Sequence, residues 1–237
     1  MARKPRYRQE REAHRIEIHR NVIERFLMDI KDVVRKNRKL VLHSILGLIG
    51  AAVIVTAGMI VANGVNARNE RRFEKIMNEY ARYAGSGDSD KIAGIIDELK
   101  NFTDTTYFGF AHSMAYYALG NIYYSRKEYR DARIYLVLYA DKQPKTLLSS
   151  IALLKAAIAL EEAKDLKGSL EIYRRLEQEY SDSLIADQIF YNCARVYGRM
   201  NDLFNSRNYY NKVISSFPDS VFVLQAKERL FMLGTPR

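Results

Sequence analysis

Beyond residue 72 the chain repeats one pattern of apolar, small and polar positions. Apolar residues three and four apart mark helices: Tyr116, Leu119 and Tyr123 in one segment, Leu153, Ala156 and Leu160 in the next, and Phe190, Cys193 and Tyr197 in a third. A small residue sits inside each, Gly120, Ala157 and Ala194, and another follows twelve residues later, Ala132, Ser169 and Ser206. Both series are spaced by 37 residues. A small residue in the middle of two consecutive helices lets their backbones approach, and a larger one three or four positions on fills the seam. The pattern therefore predicts helical hairpins stacked in one register. Polar turns divide the hairpins at 125–128, 164–168 and 200–202. Gln143-Pro144, Tyr180-Ser181-Asp182-Ser183 and Phe217-Pro218-Asp219-Ser220 end them, since proline stops a helix and Asp or Ser caps the next.

This spacing resembles the tetratricopeptide repeat, whose signature is met most fully by Tyr116, Leu119, Gly120, Tyr123, Ala132 and Pro144, with Leu136 in place of the second aromatic. The second unit has Leu153, Ala157, Leu160, Ser169, Tyr173 and Leu176, but Ser181 where proline is expected. Phe190, Ala194, Tyr197, Ser206, Tyr210 and Pro218 make the third. A degenerate unit precedes them, with Ile76, Tyr80 and Tyr83 on one helix and Ile92, Ile96 and Leu99 on the other, after the turn Gly85-Ser86-Gly87-Asp88. A closing helix would cover the last seam with Val223, Leu224, Ala226, Leu230 and Phe231. An unrelated helical bundle with a tyrosine-rich core is the alternative, and constant register argues against it. The expected fold is all-α: a transmembrane helix, then an α-solenoid over 73–234 with repeats at about 73–104, 113–146, 150–183 and 187–220 and a cap at 221–233.

Ahead of the repeats, no Asp, Glu, Lys or Arg lies between Lys39 and Arg68. The stretch 40–63 is long enough, at about 1.5 Å per residue, for a ~30 Å hydrocarbon core with some tilt. A secretory signal peptide would carry a shorter apolar region and a shorter polar start, although Val65-Asn66-Ala67 resembles a weak cleavage site. A buried core helix would be shorter and show a polar face, whereas His43, Ser44, Thr56 and Asn63 lie mostly near the ends. Gly47 with Ala51, and Gly58 with Ala62, would suit a dimerising helix, a pattern common by chance. No cysteine lies within 1–67, so acylation is not the expected anchor. Residues 64–72 are read as a linker.

Charge bears on orientation. Residues 1–39 hold 13 Lys+Arg and 6 Asp+Glu, against 25 and 22 in residues 68–237. The positive-inside rule places the basic segment 1–39 in the cytoplasm, even though Arg68, Arg71, Arg72 and Lys75 face it across the span. The repeats would then lie outside the cytoplasmic membrane, in the periplasm of a double-membraned bacterium. Residues 1–15 are arginine-dense and read as unstructured. From about 21 to 37 an amphipathic helix is expected, with Val22, Ile23, Phe26, Leu27, Ile30, Val33 and Val34 on one face. It suits an anionic lipid surface or a partner helix; ribosomal RNA is the lesser reading, because a basic tail beside a membrane needs no nucleic acid to explain it. The single Cys193 occupies a packing position and reads as an inert thiol.

No catalytic constellation stands out. His14, His19, His43 and His112 share no metal-ligand spacing with one another or with Cys193, and no phosphate-binding glycine loop or nucleophile motif is present. Pairs such as Glu161-Glu162 read as carboxylates on solvated helix faces. Neither enzyme activity nor a cofactor or metal is expected. By analogy with the repeat family, the second, fifth, ninth and twelfth positions of each unit line a concave groove. These are Met114, Tyr117, Asn121 and Tyr124; Ile151, Leu154, Ile158 and Glu161; then Gln188, Tyr191, Arg195 and Gly198, with Arg199 adjoining. Such a surface, aromatic and aliphatic with a basic end, suits an extended or helical segment of another protein. Some family members clamp a C-terminal carboxylate with Lys and Asn at the fifth and ninth positions; Asn121 matches and Tyr117 does not, so that clamp is not expected.

The order of basic segment, single span and repeats resembles the ancillary subunit of the bacterial SecYEG translocon, the YfgM family. The repeat ends are also similar to those of the envelope proteins BamD and YbgF. The resemblance implies a membrane-tethered scaffold at the extracytoplasmic face of the inner membrane, with the Sec translocon or periplasmic chaperones as partners. A homo-oligomeric structural envelope protein, or an adaptor facing the cytoplasm, is the alternative.

Overall fold

A computed structural model of the chain describes residues 24, 26–28, 30–31 and 33–234. The expected unstructured stretch 1–15, and Val22, Ile23, Asp29 and Asp32 of the expected amphipathic helix, lie outside the described residues. Those described between 24 and 36 are helical. Contacts divide the chain into two units, 1–64 and 65–237.

The first unit carries most of the apolar part of helix α1 (Arg38–Tyr83), 46 residues. Among the described residues it is the one helix long and apolar enough to cross a membrane. Its large side chains, among them Leu48, Ile54 and Ile60, point outward, which favours a hydrocarbon environment. Two of its polar groups bond to their own backbone: Thr56 Oγ1 donates to the Ala52 carbonyl at 2.8 Å, and His43 Nδ1 lies 2.5 Å from the Lys39 carbonyl. A lipid-exposed segment requires such internal satisfaction. Residues 64–72, expected as a linker, are helical. They hold no proline, and Gly64 alone does not end a helix.

In the second unit the end of α1 leads to α2 (Ser89–Thr105), α3 (Phe110–Ser125), α4 (Tyr129–Lys142), α5 (Leu147–Glu162), α6 (Leu166–Tyr180), α7 (Ala186–Arg199), α8 (Leu203–Ser216) and α9 (Phe222–Gly234). No strand occurs among the described residues. The hairpins α3–α4, α5–α6 and α7–α8 share one turn. Lys127, Lys164 and Asn201 all adopt the left-handed conformation, at φ 64°, 65° and 62°. The next residue's N–H, of Glu128, Asp165 or Asp202, donates 2.9 Å to the carbonyl of Tyr123, Leu160 or Tyr197. Corresponding residues stand 37 apart, so the backbone repeats at the period of the sequence. Asp165 and Asp202 then cap the second helix, accepting from the N–H of Gly168 and Asn205 at 3.0 and 3.1 Å.

Packing follows the small residues. Ala132, Ala157, Ala194, Ser169 and Ser206 are buried, and Ser206 Oγ donates to the Ala194 carbonyl at 2.8 Å. A Cβ at Gly120 would stand 2.6 Å from Leu136 Cγ and 3.1 Å from its backbone nitrogen, so α3 and α4 meet at a distance only glycine permits. Tyr123 stacks on Tyr135, and Tyr197 on Tyr209, each at 5.4 Å; Leu160 and Ile172 replace both rings in the middle hairpin. The end of α1 packs on α2 through Ile76, Ile96, Leu99 and Phe102, with Tyr80, Tyr83 and Ile92 around them. Cys193 is fully buried in the central core, which pushes its thiol up to about 12.

The cap differs in detail from expectation. Ala226, Leu230, Leu233 and Phe222 pack against the last hairpin, whereas Leu224 and Phe231 are exposed. The reason is helical spacing: 222, 226, 230 and 233 share one face, and Leu224 and Phe231, seven apart, share another.

Candidate protein-binding groove

Helices α3, α5 and α7 are the first helices of the three hairpins, and the expected groove residues stand along them. The fifth positions lean toward the following unit. Tyr117 packs half-buried against the core of the α5–α6 hairpin, with its ring 5.1 Å from Tyr139. Leu154 is buried in the same core as Ile189 and Cys193 of α7. Tyr191 is buried between Tyr210 and Phe222, with the Phe222 ring stacked 4.9 Å away, so α9 covers this end of the expected surface. Leu154 and Tyr191 are therefore seam residues rather than open lining. Met114, Tyr124, Ile158 and Gln188 are half-buried, and Ile151 is exposed.

Polar groups bridge neighbouring first helices. Lys155 Nζ lies 2.5 Å from Asn121 Oδ1 and 4.9 Å above the Tyr124 ring, while the Asn121 amide donates to the Tyr117 carbonyl at 2.7 Å. Partial burial holds the Lys155 ammonium below the usual lysine range. Asn121 thus spends its hydrogen bonds inside the chain.

Glu161 departs most from the sequence reading. Its side chain is 3% exposed, not on a solvated face. Arg195 grips it with both terminal nitrogens at 2.5 and 2.6 Å, Arg199 Nη1 at 2.5 Å, and the Tyr173 hydroxyl donates to Oε1 at 2.9 Å. Burial, and the carboxylate beside it, raise the Tyr173 phenol well above its ordinary range. Asn192 Oδ1 accepts from the same arginine at 3.2 Å. A buried carboxylate needs this many donors to offset its lost hydration. The twelfth position of one unit meets the ninth of the next, which sequence spacing within a unit does not disclose.

Two guanidiniums on one carboxylate leave a positive charge at this end of the groove. More arginines gather there. A cleft of about 830 Å³ opens between α7, α8 and α9, lined by Arg195, Arg199, Arg207, Arg229, Tyr210 and Leu233 among others, and among the described residues no carboxylate lines it. Arg207 donates to the Leu233 carbonyl, and Arg229 makes no ion pair among the described residues. The carboxylate of nearby Asp202 is already committed to Asn205 at the start of α8. Arg207 and Arg229 carry no motif; the α7–α8 hairpin brings Arg207, and the closing of α9 brings Arg229, beside Arg195 and Arg199.

Stacked helical hairpins with a lined inner surface define a protein-interaction scaffold. In agreement, the family model of the tetratricopeptide repeat matches residues 151–183 and 188–220, so the chain carries this repeat in its second and third hairpins. Comparison with curated proteins finds no match. Among solved structures, the crystal structure of BtubC (BKLC) from P. vanneervenii is similar at 9% identity, over 64% of this chain and 74% of that one, with a TM-score of 0.42. A likeness that loose carries no functional argument.

Proposed function

We propose that the chain is a membrane-anchored scaffold that binds acidic segments of other proteins at the extracytoplasmic face of a bacterial inner membrane, in export, chaperoning or envelope assembly. The observation that carries the reading is the arginine-lined cleft at the end of the repeat groove, with four guanidiniums and, among the described residues, no carboxylate on its wall. Its apolar wall, Leu203, Met232 and Leu233, suits a segment that mixes acidic and aliphatic residues. Support for the anchor comes from α1, and support for its direction from the basic excess of residues 1–39. The order of these parts is that of the translocon-associated family named above. Tethering raises the local concentration of the groove for chains emerging at the same membrane, so modest affinity is sufficient.

A photocrosslinker placed at Arg199 or Tyr117 in cells should trap envelope or translocon proteins, and Arg207→Glu with Arg229→Glu should abolish capture from position 199. Trapping of cytosolic proteins alone overturns the location. Reporters fused at the two termini should register opposite compartments; the same compartment at both ends refutes the single crossing.

A further inference from the structure

The turn between α2 and α3 holds three large aromatic side chains in the open. Tyr107 is 80% exposed, Phe108 53% and Phe110 64%, and none enters a hydrophobic core. At Phe108 the period makes this unusual, whereas the register of Phe110 is held by the exposed Leu147, Leu184 and Val221 in the repeats that follow. Phe108 stands at the register occupied by Lys145, Asp182 and Asp219 in the turns that follow, each 37 residues further on. Three repeats place a charge where the first places a phenyl ring, and segment 106–110 carries no charge at all.

The seat of the turn is well defined. Gly109, at φ 99°, lies against Asn66, where a Cβ would come within 2.7 Å of the Asn66 side-chain oxygen. Arg72 donates to Thr105 Oγ1 at 3.2 Å and its guanidinium lies 5.4 Å from the Phe102 ring centre. Asn66 follows the end of the apolar stretch, Asn63, by three residues. At about 1.5 Å of rise per residue this is roughly 5 Å along the helix, and the headgroup layer of one leaflet is roughly 5–7 Å deep. On a spanning α1, chain connectivity would hold Asn66, and the turn packed on it, at the depth of the lipid headgroups.

We propose that Tyr107, Phe108 and Phe110 form a second membrane contact, dipping into the interfacial layer of the bilayer that α1 crosses. The inference rests on reading α1 as a span. Aromatic rings favour this layer, which accepts an apolar body and hydrates a phenol tip. Arg68, Arg71 and Lys75, which follow Asn66 on α1, supply positive charge for anionic headgroups. A turn held in this way ties the repeats to the membrane at two points.

The chain contains no tryptophan, so each single-tryptophan variant reports one place. The full chain is reconstituted in phosphatidylcholine–phosphatidylglycerol vesicles containing lipids brominated either near the glycerol or deep in the acyl chains. Ile54→Trp reports the span, Phe108→Trp the turn, and Phe204→Trp, 75% exposed at the start of α8, serves as reference. The expected result is loss of F108W emission with the shallow bromines and a blue shift, loss of I54W emission with the deep ones, and neither change for F204W. F108W emission quenched no more than that of F204W, while I54W is quenched, overturns the aromatic contact and leaves the anchor standing. Failure of I54W to be quenched removes the anchor and this contact with it.

Discussion

Two seams of the stack are bridged at one offset by unlike means. Between α3 and α5, Lys155 reaches Asn121; between α5 and α7, Arg195 reaches Glu161; in both pairs the partners stand 34 residues apart. That offset is one repeat less about one helical turn, but the bridges sit at different registers of the repeat: Tyr124 and Ile158 stand in the first seam where Glu161 and Arg195 stand in the second. The first bridge is one ammonium on a neutral amide, half-buried above a tyrosine. The second is a sealed carboxylate held by two guanidiniums and a phenol. The difference shows that groove positions are not equivalent along the stack: the near seam joins two half-buried polar groups, and the far seam spends a buried charge on holding two units together.

The comparison is broken most severely at Glu161. Glu161→Ala strips the anchor from two arginines and a buried phenol, and should cost about 2–4 kcal/mol, below a fully buried pair because Arg195 and Arg199 remain partly hydrated. Denaturant unfolding of the full chain in detergent measures it, and a loss under about 1 kcal/mol would equate the two seams. Next comes the hairpin that supplies the near seam. Gly120→Val drives a side chain into Leu136 and its backbone, with an expected cost of about 1–3 kcal/mol in the same titration. An unchanged midpoint would show that α3 and α4 can separate freely.

A pH test sharpens the comparison on the side of α3. Thr106 Oγ1 gives its proton to the Phe102 carbonyl at 2.6 Å, so His112 Nδ1, 3.2 Å away, is the donor to Thr106, and Nε2 is left buried without a partner among the described residues. Burial, then the charge of Lys142, hold the imidazole below its ordinary 6.5. A depressed folded-state value means that this stability is present above pH 6.5 and is lost as pH falls through the depressed value. The melting temperature should fall between about pH 7 and about pH 5, and His112→Gln should flatten that part of the profile. An identical slope in the variant would assign the acid sensitivity elsewhere. The smallest effect belongs to the near bridge: Lys155→Met keeps the volume and removes a partly desolvated charge, so stability should change by less than about 1 kcal/mol. A larger loss would make that bridge the equal of the far one.

Most of the fold can be read directly from the chain, because close approach and turn geometry leave local marks. Gly120, Ala132, Ser169 and Ser206 announce the hairpins, and the αL turns fall where Lys127, Lys164 and Asn201 sit in the period. The groove was less legible. Leu154 and Tyr191 belong to seams because the next unit, or the cap, comes down on them, and that depends on contacts between repeats. Glu161 looked solvated for the same reason: Arg195 and Arg199 are remote in sequence and adjacent only after stacking. At the other end, the expected linker 64–72 is helical, because it holds no proline and Gly64 alone does not outweigh helix propagation from both sides.

The shared turn has a further consequence. Because Lys127, Lys164 and Asn201 present one backbone shape at a constant interval, cutting the chain at any two of them and rejoining it leaves ends that match. Duplicating residues 128–164 in tandem would add one whole repeat without disturbing phase, whereas an insertion that is not a whole number of repeats would put the following side chains out of step. The repeat region is in this sense a ruler with fixed graduations, whose length can be altered by copying a segment rather than by redesigning one.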